Sequence, residues 1–491
     1  MQTPNASPSI AIIGTGFGGI GMAIRLKQAG YHNLTLLEKS DRVGGTWRDN
    51  TYPGAACDVQ SHLYSYSFEP KHDWSRKFAP QAEILAYIEH CVDKYNLAPH
   101  IRCHREVREA RFDEKSNLWQ LTLADGNTLQ ARILITATGQ LNRPAWPDLP
   151  GLDAFRGRVF HSARWDHDYD LSGRRVAVVG TGASAIQFVP EIARSVDTLH
   201  LFQRSAAWVL PKADRPFQRW EQALFAHLPG WDRLYRTWIY WQNESRALAF
   251  TRFHRLLDLY AAQARREAAR HIRDPEKRRR VIPDYRIGCK RILISNDWYP
   301  AINRDNVNLV TRPIDGIRED AVVDADGRRY PVDAIILATG FRATEFLSPI
   351  RILGRQGRLL NEAWRDGAAA FKGISVSGFP NLFMLYGPNT NLAHNSILFM
   401  LESQFRYVLS GLDALAHRPG AALDVRQDRL ERFSSRVQRA LSGSVWDSGC
   451  RSWYLDRNGR NTVNWPGFTF SYRFATRRVN TADYQFLDPA R

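Results

Sequence analysis

"SIAIIGTGFGGIGMAIRLKQAG", residues 9–30, opens as an apolar run, breaks at Gly14-x-Gly16-x-x-Gly19, and resumes with apolar positions such as Ile24 and Leu26 at helical spacing. The run reads as a buried strand and the continuation as a helix packed on it. The first glycine permits a tight turn, the second lets backbone approach a pyrophosphate, and the third lets helix and strand pack closely, with the phosphate on the helix N-terminus. A second strand-like run, "NLTLLE" at 33–38, ends in Glu38, nineteen residues after Gly19. A carboxylate there can accept hydrogen bonds from ribose hydroxyls. The stretch predicts a unit that binds a dinucleotide.

The pattern recurs in "RRVAVVGTGASAIQFVPEIA", residues 174–193, as Gly180-x-Gly182-x-x-Ala185, followed by "TLHLFQR" ending in Arg204. Arg204 again stands nineteen residues past the last small residue, but a guanidinium has replaced the carboxylate. A carboxylate would repel a 2′-phosphate, whereas arginine grips one with charge-assisted hydrogen bonds. The first unit is therefore expected to bind FAD and the second NADPH in preference to NADH. Phe17 falls within the first turn, Thr181, Ala183 and Ser184 within the second, and Gln203 adjoins Arg204; all are expected cofactor contacts.

The predicted fold class is α/β, with two Rossmann-like domains and a mostly helical excursion in the second. Two further apolar runs, "ARILITATG" at 131–139 and "DAIILATG" at 333–340, read as buried strands marking where the chain leaves and re-enters the flavin domain. This predicts a first part of the FAD domain over 1–145, an inserted NADPH domain over 146–332 reached through "RPAWPDLPG", and the rest of the FAD domain with a C-terminal segment over 333–491. Residues 213–285 break the alternating rhythm and are rich in Trp, Arg and helix formers. They read as helices covering a cleft, with a weak membrane-surface contact as the alternative. Within them "QARREAARHIRDPEKRRR", at 263–280, reads as a helix followed by a basic turn.

Composition narrows the setting. A chain of 491 residues with 44% hydrophobic content suits two or three folded domains. Five scattered cysteines form no CxxC pair, which predicts a reducing compartment and no zinc site or disulfide framework. The first nine residues lack signal-peptide character and no run is long enough to span a bilayer, so the expected location is the cytoplasm. The formal charge of +17 comes without a nucleic-acid-binding motif, so no nucleic-acid partner is expected. Either a monomer or a dimer is compatible with these features.

Between the two turns lies "FRGRVFHSARWD", residues 155–166, with Phe155, Gly157, His161, Trp165 and Asp166 at the spacing F-x-G-x-x-x-H-x-x-x-W-D. This resembles the fingerprint of the type I Baeyer–Villiger monooxygenases, flavoproteins of the flavin-containing monooxygenase superfamily. The resemblance extends over nearly the whole chain: "DRVGGTWRDNTYPGAACDVQSHLYSYSF" at 41–68 is similar to a flavin-contact segment, "GCKRILISNDWYPAINRDNV" at 288–307 to a catalytic and NADPH-contact segment, and "MLYGPNTNLAHNSILFMLESQ" at 384–404 to the last flavin segment. It implies an enzyme that uses FAD, NADPH and dioxygen to insert one oxygen atom beside a ketone carbonyl through a flavin C4a-peroxide, giving an ester or lactone. It further implies that Arg291 is the fixed cation of the reaction and that Asp58 holds it. Lys290 would contact an NADPH phosphate; Gly45, Thr46, Trp47, Tyr64 and Val107 would contact flavin. Trp453 would approach the nicotinamide nucleotide, although "GRNTVNWPGFTFSYR" after it departs from the best-known members. The fingerprint would act at the hinge between domains, with His161 as an organiser, not a base.

The main rival is a relative that oxygenates sulfur or nitrogen, whose fingerprint typically lacks the terminal Trp-Asp pair. A disulfide reductase shares the two-nucleotide architecture but needs a cysteine pair beside the flavin, and Cys57 has no close partner in sequence. A redox sensor without turnover would not need both Asp58 and Arg291.

Overall fold

The computed structural model describes residues 8–450 and 452–489. The run at 9–30 forms the strand Ile10–Ile13, the glycine turn and the helix Phe17–Gln28. All four residues of that strand are buried, because it is the central strand of a parallel sheet covered on both faces. The order across this sheet is Leu382–Met384, Ile133–Thr136, Ile10–Ile13, Leu34–Leu37, Ile101–Arg102. Registers such as Ile10 against both Leu34 and Ile133 run without a slip. The helix Ile397–Ala416 closes over the helix Phe17–Gln28 at Gly21, where an added Cβ would come within 2.7 Å of the Phe405 and Tyr66 rings.

A second parallel sheet repeats the design, in the order Val307–Val310, Thr198–Phe202, Arg175–Val179, Ala334–Leu337, Arg158–His161. Here one expectation is corrected. The run "DAIILATG" pairs with Arg175–Val179 and with Arg158–His161, so it lies inside the second unit and not at the re-entry to the first. The inserted unit therefore extends past 332, and the chain leaves it near Gly340, where Ala145 N donates to Gly340 O at 2.8 Å and the outgoing and returning segments run side by side. The middle of the fingerprint at 155–166 is the edge strand of the same sheet. A smaller sheet containing Val107–Asp113 and a three-stranded antiparallel sheet within 314–331 complete the β structure that bears on the site.

The stretch expected to be helical carries the helices Arg219–His227, Trp231–Glu244, Ala247–Thr251, Arg255–His271 and Pro275–Val281. The last corrects the basic turn expected after residue 271. Asp274 accepts from Glu276 N at 2.9 Å and Pro275 supplies a ready-set first position, so "PEKRRR" starts a helix of its own. Among the described residues no helix is long and apolar enough to cross a membrane.

The cysteines supply a further correction. Cys289 and Cys450, 161 residues apart, form a disulfide with a Cα–Cα distance of 6.3 Å, while Cys57, Cys91 and Cys103 are free. The expectation of an unpaired set rests on sequence spacing, which carries no information about a bridge of that span. Thiol titration of the denatured protein, prepared without reductant, is expected to count three thiols; a count of five would remove the bridge.

Two buried histidines set an acid limit. His62 sits among Phe217, Phe225 and Tyr235, whose ring centroids lie 5.2, 4.2 and 5.1 Å away, and burial pushes its pKa down to about 3. Burial likewise pushes His161 down to about 4. The unfolded chain takes up both protons near pH 6.5, before the native chain can, so stability is intact above that pH and falls as pH drops below it. The expected slope is about 1.4 kcal/mol per pH unit for each histidine until its native value is reached. Urea midpoints measured from pH 7 to pH 5 check this; a flat midpoint would refute it.

Candidate active site

The strand ends of both sheets face one continuous cleft of about 830 Å³. On the first side Gly14, Gly16 and Phe17 line it, and the turn can exist only with glycine at two points. Gly14 has φ +104° with Ala137 O 2.6 Å from where a Cβ would stand, and a Cβ on Gly19 would lie 1.9 Å from Gly14 O. Gly19 thus shapes the turn from behind and does not line the cleft. The helix Phe17–Gln28 has no side-chain cap, which leaves its first N–H groups directed at the space a pyrophosphate would fill. Glu38 also lines the cleft; its carboxylate accepts from Thr15 Oγ1 at 2.6 Å and Ser40 N at 3.0 Å and pairs with Arg48 at 3.0 Å. Gly45, Thr46, Trp47, Tyr64 and Val107 lie along the same wall, with Trp47 Nε1 donating to Tyr64 OH at 3.2 Å.

On the opposite side Gly182, Ala183 and Ser184 line the cleft at the uncapped N-terminus of the helix Ala185–Ile192. Thr181 and Ala185 build the turn without reaching the cleft surface, as does Gly180, which has φ +111° and Ala338 O 2.5 Å from where a Cβ would stand. Gln203 departs from expectation: its Nε2 donates to Arg280 O at 2.7 Å, away from the cleft. Arg204 and Lys290 both line it. Lys290 Nζ donates to Ser205 Oγ at 3.0 Å, and burial together with the nearby Arg204 charge lowers its pKa. Neither cation is in an ion pair among the described residues. Two positive groups side by side, neither in an ion pair, make a site for a dianion.

Between the two cradles Arg291 donates through both Nε and Nη2 to Asp58 Oδ2, the Nε contact being 3.0 Å. Their side chains stay 30% and 32% exposed, toward the cleft that both line. Burial would raise the Asp58 carboxyl, but Arg291 and then Lys212 hold it below its ordinary value; Asp58 in turn raises the guanidinium above its own. The pair is therefore a fixed cation with a fixed counter-ion at working pH. Cys57, next to Asp58, is buried and free, and burial followed by the Asp58 charge raises its thiol well above the usual range, so no thiolate stands beside this part of the cleft.

Trp453 lines the cleft with its ring 4.5 Å from that of Tyr454, and the Cys289–Cys450 bridge ties this C-terminal segment to the strip carrying Lys290 and Arg291. The fingerprint residues lie outside the cleft. Phe155 packs with Ile317 and Ile335, and Gly157 leaves no room for a side chain, Asp333 O being 2.4 Å from its Cβ position. His161 Nδ1 accepts from Ala163 N at 3.1 Å, Trp165 packs 5.2 Å from both Phe160 and Phe188, and Asp166 pairs with Arg158.

Two residues with no motif to announce them join the units. Gln187, on the helix Ala185–Ile192, accepts from Tyr52 OH at 2.9 Å and donates to Ala56 O at 2.9 Å, two residues before Asp58. Glu244, fully buried at the end of the helix Trp231–Glu244, accepts from Asn395 Nδ2 at 2.6 Å and Thr469 Oγ1 at 2.8 Å, holding the helical excursion to cleft-lining Asn395.

This geometry has counterparts. Residues 11–218 match the family model described as pyridine nucleotide-disulphide oxidoreductase. A Baeyer–Villiger monooxygenase of Pseudomonas aeruginosa is 48% identical over 488 residues, 99% of this chain and 93% of that one. Among solved structures, an oxidized steroid monooxygenase bound to NADP superposes with a TM-score of 0.87 at 31% identity, covering 98% of this chain and 100% of that one. A complex of OTEMO with FAD and NADP gives 0.87 at 28%, covering 99% and 100%. With the two cradles, the paired cations and the Asp58-held arginine in one cleft, the chain belongs to the Baeyer–Villiger monooxygenase family and is an FAD- and NADPH-dependent flavin monooxygenase.

Proposed function

We propose that the enzyme converts a ketone, dioxygen, NADPH and a proton into an ester or lactone, NADP⁺ and water. The observation that carries this reading is the Arg291–Asp58 pair, set in the cleft between the two nucleotide cradles. FAD, when bound, supplies the electron transfer from NADPH to dioxygen that makes the inserted oxygen reactive. The chain's own residues do the rest. The turn at Gly14–Gly19 and the open helix N-terminus bind the pyrophosphate of FAD, and Glu38 faces its ribose. Arg204 and Lys290 bind the 2′-phosphate of NADPH, which relieves their mutual repulsion. Arg291 stabilises negative charge developing on the ketone oxygen as it is attacked, and Asp58 keeps the guanidinium in place, so little reorganisation is needed at that moment. Trp453 and the tethered C-terminal segment exclude water from the same space. The need for NADPH suits the cytoplasm as the place of reaction.

Oxygenation of sulfur or nitrogen does not require a cation over a developing oxyanion, so the pair favours the ketone. The test is aerobic incubation of the FAD-loaded enzyme with NADPH, ¹⁸O₂ and a panel of linear, cyclic and aryl ketones plus an aryl sulfide. A singly labelled ester or lactone is the expected product. Labelled sulfoxide alone would move the enzyme to the heteroatom oxygenases.

A further inference from the structure

The helix Trp231–Glu244 presents large apolar side chains to solvent although its other side is already packed against the protein. Its inward side carries the fully buried Ile239 and the core-packed Tyr235 together with Arg236, which donates to His62 O, and the buried Asn243 and Glu244. Its outward side carries Trp231, Leu234, Trp238 and Trp241, spaced three, four and three apart, and 37%, 60%, 55% and 55% exposed. A soluble surface helix places its charges outward and its apolar stripe inward. The apolar face continues onto the helix Thr469–Ala475, where Phe470 and Phe474 are 44% and 78% exposed and the Phe470 ring lies 6.1 Å from that of Trp241. Of the twelve large apolar side chains exposed among the described residues, six lie on these two helices, four of them on the helix Trp231–Glu244 alone. Unpartnered surface of this kind marks an interaction site.

Charge says what the face meets. Arg473 and Arg477, on the helix bearing Phe470 and Phe474 and just beyond its end, and with them Arg25, stand close enough to Arg406 that, after burial, their charges lower its guanidinium; Glu402 is the opposing carboxylate there, and its oxygens are engaged by Ser67. None of Arg406, Arg473 and Arg477 is in an ion pair among the described residues. A second copy would bring this cationic edge against its like, on a chain of net charge +17. Tryptophan beside arginine is the composition that seats in the headgroup layer of a bilayer, about 5–10 Å deep, and anionic lipid answers the charge.

We propose that the face formed by Trp231, Leu234, Trp238, Trp241, Phe470 and Phe474 docks the enzyme on an anionic lipid surface. The docking is reversible, since no helix among the described residues is long and apolar enough to span the bilayer. Behind the face, Tyr240 stacks on Phe399 at 4.8 Å, next to Leu398 and two residues from Ile397 in the cleft wall. The docked face thus adjoins the cleft, and an apolar ketone dissolved in the lipid reaches it over a short path. The docking itself does not depend on what the cleft oxidises.

The test uses the FAD-loaded full chain with vesicles of phosphatidylcholine alone and of phosphatidylcholine mixed equally with phosphatidylglycerol. Flotation is expected to recover about tenfold more protein with the anionic vesicles, with binding weakened by salt and tryptophan emission shifted to shorter wavelength. The combined variant Trp231→Ser, Trp238→Ser, Trp241→Ser is expected to lose flotation while keeping bound FAD and its turnover of a water-soluble ketone. Arg473→Glu with Arg477→Glu is expected to lose the preference for anionic lipid, a second reading free of any packing change at the tryptophans. Absence of flotation at low salt, equal recovery with both vesicles, or a wild-type dimer that the tryptophan variant dissolves would each overturn the proposal.

Discussion

Ester formation by an Arg291→Ala variant is expected to fall about 10²–10³-fold while NADPH still bleaches the flavin at close to the normal rate. The magnitude is that of removing one preorganised donor from a developing oxyanion in a water-poor site. The separation of the two half-reactions follows from position: hydride transfer uses the nucleotide cradles, whereas Arg291 faces the space between them. Arg291→Lys is expected to recover only part of the loss, because an ammonium keeps the charge but not the fork that meets Asp58 through Nε and Nη2 together. Asp58→Ala leaves the guanidinium without its counter-ion and is expected to lower the oxygenation rate with little change in flavin reduction. Anaerobic stopped-flow at the flavin absorbance and product analysis in air separate these effects. Undiminished ester from Arg291→Ala would end the assignment.

The second large effect is on nucleotide choice. Arg204→Ala is expected to raise KM for NADPH about 10–100-fold, the worth of one hydrogen bond to a charged group, and to leave KM for NADH nearly unchanged. Lys290→Ala acts in the same direction, and because both groups would contact one phosphate the double variant should lose less than the product of the two single losses. Raising ionic strength should weaken NADPH more than NADH in the wild type and alike in Arg204→Ala. Steady-state kinetics with both nucleotides decides; equal loss on NADH and NADPH would refute the 2′-phosphate assignment.

Local chemistry is readable from the chain alone. The two glycine turns, Glu38 and Arg204 are each specified within thirty-odd residues of sequence, and the structure sets all of them at the cleft or immediately behind it. Strand identity is legible for "DAIILATG" but its sheet is not, since a fully buried apolar run ending in a glycine turn looks the same whichever parallel sheet receives it. Gln203 misleads because adjacency to Arg204 in sequence does not fix where a side chain points in the turn after the strand Thr198–Phe202, and its amide bonds Arg280 O instead. Arg291 and Asp58 are reached only through a family resemblance, for they are 233 residues apart and nothing local joins them. The Cys289–Cys450 bridge, Gln187 and Glu244 escape sequence reading because each acts through partners more than a hundred residues away. The outward aromatic face is visible as composition, but that Trp231, Leu234, Trp238 and Trp241 stay exposed becomes evident only once Ile239, Asn243 and Glu244 are placed inside.

The way the chain is threaded through its two sheets bears on how the molecule comes into being. All five strands of the inserted sheet lie between residues 158 and 337, so that unit can be assembled as soon as it is synthesised. The sheet that begins at Ile10 must wait for its edge strand Leu382–Met384, and the helix Phe17–Gln28 keeps its Gly21 face bare until Phe405 arrives. During most of synthesis the nascent chain therefore carries a finished second half and an unfinished first, with a closure hundreds of residues long still to be made. Birth order is the reverse of sequence order, and a stop codon just ahead of Leu382 would remove the flavin site although every residue from Gly14 to Val107 had been made.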